Sequence, residues 1–244
     1  MKELFLISSS RYQGGEFWGH CLDSLKDFLG PAIPQKKKVV FVPYAKADQD
    51  YMGYTKMVSE PFSKLGYDLV DINSYPARNC FADPSVVAIC VGGGNTWVLT
   101  YWLHKDDLVL RIMEKVYSGE WKYISASAGT VVACPSMMTT NDMAPVIPKS
   151  DKVLGLVPFQ INPHFVPGAL VDKHMGETRE ERIAQVLMWN PDWTVVGLPE
   201  GCWIVGRHKE YTLLGKGEAI IFRKDKEPKV WLPGQTFDGN DMVV

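Results

Sequence analysis

A serine with the setting of a nucleophile stands in Tyr123-Ile-Ser-Ala-Ser127-Ala-Gly129-Thr130. An apolar stretch runs into a turn of small residues, and a helix can start right after it. Such a turn lifts a serine clear of the sheet and sets backbone N–H groups beside it. That is how a weak nucleophile is presented to an acyl substrate. The pattern departs from the G-x-S-x-G elbow, because Ser125 stands where the first glycine would be. An ordinary strand-end turn also uses small residues, so the rest of the chain must decide.

Ser127 needs a base, and the base needs an acid to orient it. Of five histidines, His20 and His104 fall on expected helices and His208 in a hairpin turn. His164 sits in Gln160-Ile-Asn-Pro-His164-Phe, stiffened by Pro163, and His174 lies in a loop before a helix. Two acids have unusual settings. Glu200 follows an apolar run in Leu198-Pro-Glu200-Gly201, and Asp142 stands in Thr139-Thr-Asn-Asp142-Met, beyond the helix after Ser127. Each also has a plain reading, Asp142 as an Asx-type turn and Glu200 as a solvent-facing turn residue. Gly92-Gly93-Gly94 lacks the spacing of a phosphate loop. It suits a backbone that approaches an oxyanion, with the Ala128 amide as second donor. Ser127, His164 and Glu200 run Ser…His…acid, unlike the Ser…acid…His order of α/β-hydrolases.

The elements that hold these residues follow from apolar runs. Leu4–Ile7, Val39–Val42, Leu69–Ile72, Val86–Val91 and Tyr123–Ile124 read as strands, three of them nearly all apolar, as in a parallel sheet buried on both faces. Helix-length segments at 16–29, 48–65, 95–104 and 107–118 separate them. In the first, Phe17, Cys21, Leu25 and Phe28 mark one apolar face. This βαβ order predicts a doubly wound, mostly parallel sheet flanked by helices. Ligands gather at the carboxyl ends of such strands, and Ser8-Ser9-Ser10, the triglycine and the Ser127 turn all follow predicted strands. Five prolines between Pro145 and Pro167 break the next stretch into loops. Thr178-Arg179-Glu180-Glu181 then reads as a capping box opening a helix. Strands are expected at Thr194–Leu198, Cys202–Val205, Tyr211–Leu214 and Ala219–Phe222. With no repeat or linker, residues 1–244 read as one α/β domain.

Composition narrows the function classes. With 26 Lys+Arg against 28 Asp+Glu, the net charge of −2 gives no basic excess for nucleic acid. No apolar run approaches the ~18 residues of a membrane span, and the N-terminal apolar run is too short for a signal peptide, so a cytoplasmic location is expected. The five cysteines form no CxxC pair, and no HExxH or similar cluster suggests a metal.

Six blocks now fall in one order: Val91-Gly-Gly-Gly-Asn-Thr96, Ser127-Ala-Gly129, Thr139-Thr-Asn-Asp-Met143, Gln160-Ile-Asn-Pro-His-Phe165, Gly176-Glu-Thr-Arg-Glu180 and Gly197-Leu-Pro-Glu-Gly201. In them the chain resembles the peptidase E family, the α-aspartyl dipeptidases among the S51 serine peptidases. The resemblance implies a flavodoxin-like fold akin to class I glutamine amidotransferases. It implies cytoplasmic hydrolysis of dipeptides with N-terminal aspartate, without metal, cofactor, nucleic acid or membrane, by a monomer or homodimer. Ser127 then corresponds to the nucleophile and His164 to the base. Glu200 and Asp142 both match positions given to the acid. Gly94 and Ala128 match the oxyanion hole, and Arg179 the arginine that binds the substrate's aspartate side chain. Departures are Ser125-Ala126, where many bacterial members carry Gly-Trp, and Met143-Ala144-Pro145, which shifts a proline by one. A smaller residue at 126 is expected to widen the pocket. Two other readings share most of these residues: a hydrolase of β-aspartyl linkages similar to cyanophycinase, and an aspartyl-ligand-binding protein without turnover.

Overall fold

The computed structural model describes residues 1–168 and 176–242. His174 lies outside the described residues. Five parallel strands form the heart of the larger sheet: β1 (Glu3–Ile7), β2 (Lys38–Val42), β3 (Asp68–Asp71), β4 (Val86–Val91) and β5 (Lys122–Ala126). Their spatial order is β3-β2-β4-β5-β1. That reproduces the 2-1-3-4-5 order of flavodoxin-like sheets, with the N-terminal strand in the fifth place. Beyond β1 the sheet continues antiparallel through β8 (Cys202–Arg207), β9 (Glu210–Gly215) and β12 (Thr236–Asp238).

Alternation along the strands builds two cores. Phe5, Ile7, Val39, Phe41, Cys90 and Ile124 face α1 (Leu22–Leu29) and α2 (Tyr51–Lys64). Leu4, Leu6, Val40, Val42, Ile89 and Tyr123 face α3 (Thr96–Lys105), α4 (Leu108–Tyr117) and α5 (Ala128–Val131). The helix after β1 therefore packs on one face and the helix after its neighbour β5 on the other. The chain diverges there, leaving a crevice at the carboxyl ends of the two strands, the place where ligands bind in such sheets. Ser127 stands at this crevice.

A second sheet, in the order β11-β10-β7-β6, is absent from the sequence reading as a sheet. It joins β6 (Gln160–Pro163) in parallel to β7 (Thr194–Leu198), then antiparallel to β10 (Ala219–Arg223) and β11 (Lys229–Trp231). α6 (Arg179–Trp189) packs on it through Ile183 and Leu187, against Phe165, Val195 and Phe222.

Three further differences have local causes. The helix expected over 16–29 begins only at Leu22, because Trp18 takes a left-handed conformation (φ 61°) and a single turn at Gly19–Cys21 follows. The helix after Ser127 is one turn long, and residues 132–159 run as turns. Ala126 is 1% exposed within the apolar cluster of Ile7, Trp18 and Trp203, so its size is felt in the core.

Candidate active site

The Ser127 turn is sharp and strained. Its φ of 52° and ψ of −113° lie where non-glycine residues are held at a cost of ~1–3 kcal/mol. The surroundings over-determine it. The Ser127 N–H donates to the Ile7 carbonyl at 3.0 Å, and the Ser127 carbonyl accepts from Thr130 and Val131 N–H groups at 2.8 and 3.0 Å. Thr130 Oγ1 also donates to the Ile7 carbonyl at 2.8 Å and bonds Ser125 Oγ at 3.0 Å. The turn is closely packed, and most tightly at Gly129. A Cβ on Gly129 would lie 2.2 Å from the Val91 carbonyl oxygen, and one on Gly93 would lie 3.1 Å from the Ser127 Cβ. The triglycine backbone thus passes directly beside Ser127.

His164 is the first residue past β6 and Glu200 the second past β7. Those strands pair in parallel with Pro163 opposite Leu198, so the two side chains emerge together. Ser127 Oγ lies 2.8 Å from His164 Nε2, and His164 Nδ1 lies 2.6 Å from Glu200 Oε1. With a proton on Nδ1 donated to Glu200, Nε2 is left as an acceptor for the serine hydroxyl. Glu200 remains half exposed (side chain 51%) and His164 somewhat less (37%). Gly201 must be glycine, with φ +78° and the Tyr12 ring 2.6 Å from any added Cβ.

The structure separates the two candidate acids. Asp142 Oδ2 accepts from the Thr96 N–H and Thr96 Oγ1, each at 2.7 Å, and from Thr140 Oγ1 at 3.0 Å. Its carbonyl accepts from Trp97 Nε1 at 3.0 Å. It holds the N-terminus of α3, where Asn95 caps the next two amides, and Asn95 Nδ2 donates to the Met143 carbonyl. The carboxylate thus meets three donors and the positive end of a helix. Sequence reasoning missed Thr96 and Thr140. The Asn95-Thr96 pair at a helix start was the available signal.

Arg179 opens α6, whose capping box forms as expected: Thr178 Oγ1 accepts from the Glu181 N–H, and Glu181 Oε2 accepts from the Thr178 N–H. Arg179 shares a cavity with Thr139, Thr140, Asn141, Asp142 and Asn162. Its Nη1 is buried with no hydrogen-bond partner among the described residues. Burial, then neighbouring Arg182, pushes the guanidinium pKa below its usual value, and Asp142 partly offsets this. It stays charged at neutral pH, in a cavity with an unfilled donor. Gly94 has φ +134°, and a Cβ there would strike the Ala45 carbonyl oxygen at 2.3 Å. Ala128 is the first residue of α5, so its N–H has no intrahelical acceptor. Among the described residues, no group of three or more His, Cys, Asp or Glu is arranged to hold a metal, and no helix is long and apolar enough to cross a membrane.

Comparison with known proteins gives one consistent set. Residues 4–214 match the model of peptidase family S51. Peptidase E of Nostoc sp. is 37% identical over 237 residues, covering 97% of this chain and 96% of that protein. Peptidase E of Haemophilus influenzae is 41% identical over 202 residues, covering 82% and 90%. A solved structure of a putative peptidase E protein from Listeria monocytogenes superposes with a TM-score of 0.64 at 23% identity, over 89% of this chain and all of that one. That likeness concerns the fold.

Proposed function

Because this chain belongs to peptidase family S51, and is therefore a peptidase, we propose that it is a serine-type exopeptidase cleaving dipeptides with N-terminal aspartate. The observation that carries this reading is the hydrogen-bonded line Ser127 Oγ–His164 Nε2–Nδ1–Glu200 Oε1, at 2.8 and 2.6 Å. In it each group has the neighbour that acyl transfer requires.

Ser127 Oγ attacks the peptide carbonyl carbon while His164 Nε2 takes the hydroxyl proton. The imidazolium that forms is stabilised by Glu200. The carbonyl oxygen becomes an oxyanion facing the Gly94 and Ala128 N–H groups, each donor worth on the order of 3 kcal/mol in the transition state. Collapse expels the second residue as an amine, which takes its proton from His164. Water, deprotonated by the same imidazole, then releases aspartate from the acyl-enzyme. Arg179 binds the aspartate side chain. Its buried Nη1, without a partner among the described residues, and the bidentate match between guanidinium and carboxylate favour this role. Asp142 shares that cavity but belongs to the α3 terminus, so it shapes the acid pocket instead of orienting His164.

The test is a panel of Asp-Leu, Glu-Leu, Asn-Leu and a β-aspartyl dipeptide, run on wild type and Ser127→Ala. Cleavage of Asp-Leu alone by the wild type, abolished in a folded Ser127→Ala, is the expected result. Preference for the β-aspartyl substrate selects the cyanophycinase-like reading. Binding of Asp-Leu without cleavage refutes the aspartyl dipeptidase reading.

A further inference from the structure

We infer that Ser8 is a positioning residue, whose hydroxyl holds both the base and the acid strand in register with the nucleophile; this rests on the catalytic roles proposed for Ser127, His164 and Glu200. Ser8 follows β1 and is fully buried (0% exposed). Its Oγ donates to the Leu198 carbonyl at 2.8 Å and accepts from the His164 N–H at 2.9 Å. Its own N–H donates to the Cys202 carbonyl at 3.0 Å. One hydroxyl thus bridges the ends of β6 and β7 from the neighbouring sheet.

The bridge acts where the backbone is least self-supporting. His164 has a φ of +53°, a left-handed conformation costly for a residue with a Cβ. At this bend, just past the last β6–β7 pair, the His164 N–H takes Ser8 Oγ as its partner. The next amide, of Phe165, returns to the Leu198 carbonyl at 3.1 Å. Fixing the His164 peptide fixes the direction in which the imidazole leaves the chain. Fixing the Leu198 carbonyl anchors the chain two residues before Glu200. The adjacent Ile7 carbonyl meanwhile receives the Ser127 N–H and Thr130 Oγ1. The end of β1 is thus a jig that touches the backbone of all three arms.

Without the hydroxyl, the Leu198 carbonyl keeps the Phe165 N–H, but the part-buried His164 amide loses its Ser8 acceptor. The peptide is then free to rotate, and a displacement of ~1 Å at reacting atoms costs on the order of 10²-fold in rate. Substrate binding through Arg179 does not pass through Ser8. The expected signature is a fall in kcat with KM retained.

The experiment compares wild type, Ser8→Ala, Ser8→Cys and Ser8→Thr by Asp-Leu kinetics and by the rate at which a fluorophosphonate labels Ser127, a readout that needs no dipeptide recognition. Ser8→Ala and the near-isosteric Ser8→Cys should lose about 10- to 100-fold in kcat and in labelling rate, with KM within about twofold. Ser8→Thr, which restores the hydroxyl, should recover most of both. If Ser8→Ala does not fold, the Cys-against-Thr contrast decides. Ala or Cys variants with wild-type kcat and labelling rate overturn the inference and leave the proposed function standing. A wild type that labels but cleaves no Asp-X peptide overturns the dipeptidase reading, and the labelling rates still decide Ser8. A wild type that does neither removes both.

Discussion

Replacing the two candidate acids one at a time, as Glu200→Gln and Asp142→Asn, should give opposite phenotypes. The Glu200 carboxylate accepts a 2.6 Å bond from His164 Nδ1. A hydrogen bond to a charged group contributes ~1.5–3 kcal/mol, which corresponds to about 10- to 200-fold in rate if it is felt mainly as the imidazolium forms. The loss of ~10⁴ seen for a fully buried triad acid is an upper bound, because water already reaches half of this side chain. Glu200→Gln should therefore lower kcat by about 10²-fold with little change in melting temperature. Asp142 has a different duty. Its Oδ2 accepts three bonds at the start of α3. An asparagine oxygen keeps an acceptor there but loses the charge that the helix terminus favours. The combined loss is about 1–2 kcal/mol, or roughly 2–8 °C in melting temperature for a chain of this size. The kcat of Asp142→Asn should stay within about fivefold of wild type. Steady-state hydrolysis of Asp-Leu and thermal melting followed by circular dichroism, on the same preparations, read both quantities. Glu200→Gln within threefold of wild type, beside a hundredfold loss in Asp142→Asn at unchanged melting temperature, would refute the assignment and return the acid's role to Asp142.

Arg179→Ala should lower kcat/KM for Asp-Leu at least about tenfold, the loss of one charge-assisted hydrogen bond, while Asn-Leu changes little; an unchanged Asp/Asn ratio in competition assays removes Arg179 from side-chain recognition. Asp83 tests the frame far from the site. Bonds from Ser85, Lys38 and Tyr75 hold its pKa well below the ordinary carboxylate range. A carboxylate with a depressed folded pKa contributes stability above its unfolded value of ~3.9 and loses it as pH falls towards the folded one. The melting-temperature gap between wild type and Asp83→Asn should be widest near neutrality and narrow below about pH 4. A gap independent of pH would contradict the depressed pKa.

The central sheet was legible because its strands carry their own signal. Leu4–Ile7 and Val86–Val91 are continuous apolar runs buried on both faces, and the structure places strands at Glu3–Ile7 and Val86–Val91. The second sheet was not legible as a sheet. β6 reads Gln-Ile-Asn-Pro, only four residues, with two amide side chains and a closing proline, too short for its alternation to register as a strand. Its polar side chains are buried for a reason the sequence does not display: Asn162 Nδ2 donates to the Thr139 carbonyl and to Asn141 Oδ1, both at 2.8 Å. β11 and β12 are three residues each, too short for a period to register. Within the site, residue types and chain order singled out Ser127, His164 and Glu200. They left Asp142 open beside Glu200, because the distance that separates them depends on the register of β6 on β7.

That register explains why His164 and Glu200 share a sheet while Ser127 belongs to another. The proposed base and acid, which meet at 2.6 Å, are set by adjacent paired strands, where backbone hydrogen bonds fix their spacing. The proposed nucleophile, Ser127, has another requirement: a strained turn with open amides, which the β5–α5 junction supplies. The difficulty is then to lock one sheet against the other. Residues 132–159, proline-broken in sequence, do so with side chains in place of a ladder. Thr139 Oγ1 donates to the Ile161 carbonyl at 2.8 Å and Asn141 Nδ2 to the Pro163 carbonyl at 3.0 Å. Together with the Ser8 bridge, they tie β6 on both sides of the crevice. The Thr139-Thr-Asn-Asp block therefore has a role apart from chemistry. It holds the β6 carbonyls through Thr139 and Asn141 and the α3 terminus through Asp142, so a change at Thr139 or Asn141 reaches His164 through its backbone, whereas one at Asp142 acts on α3.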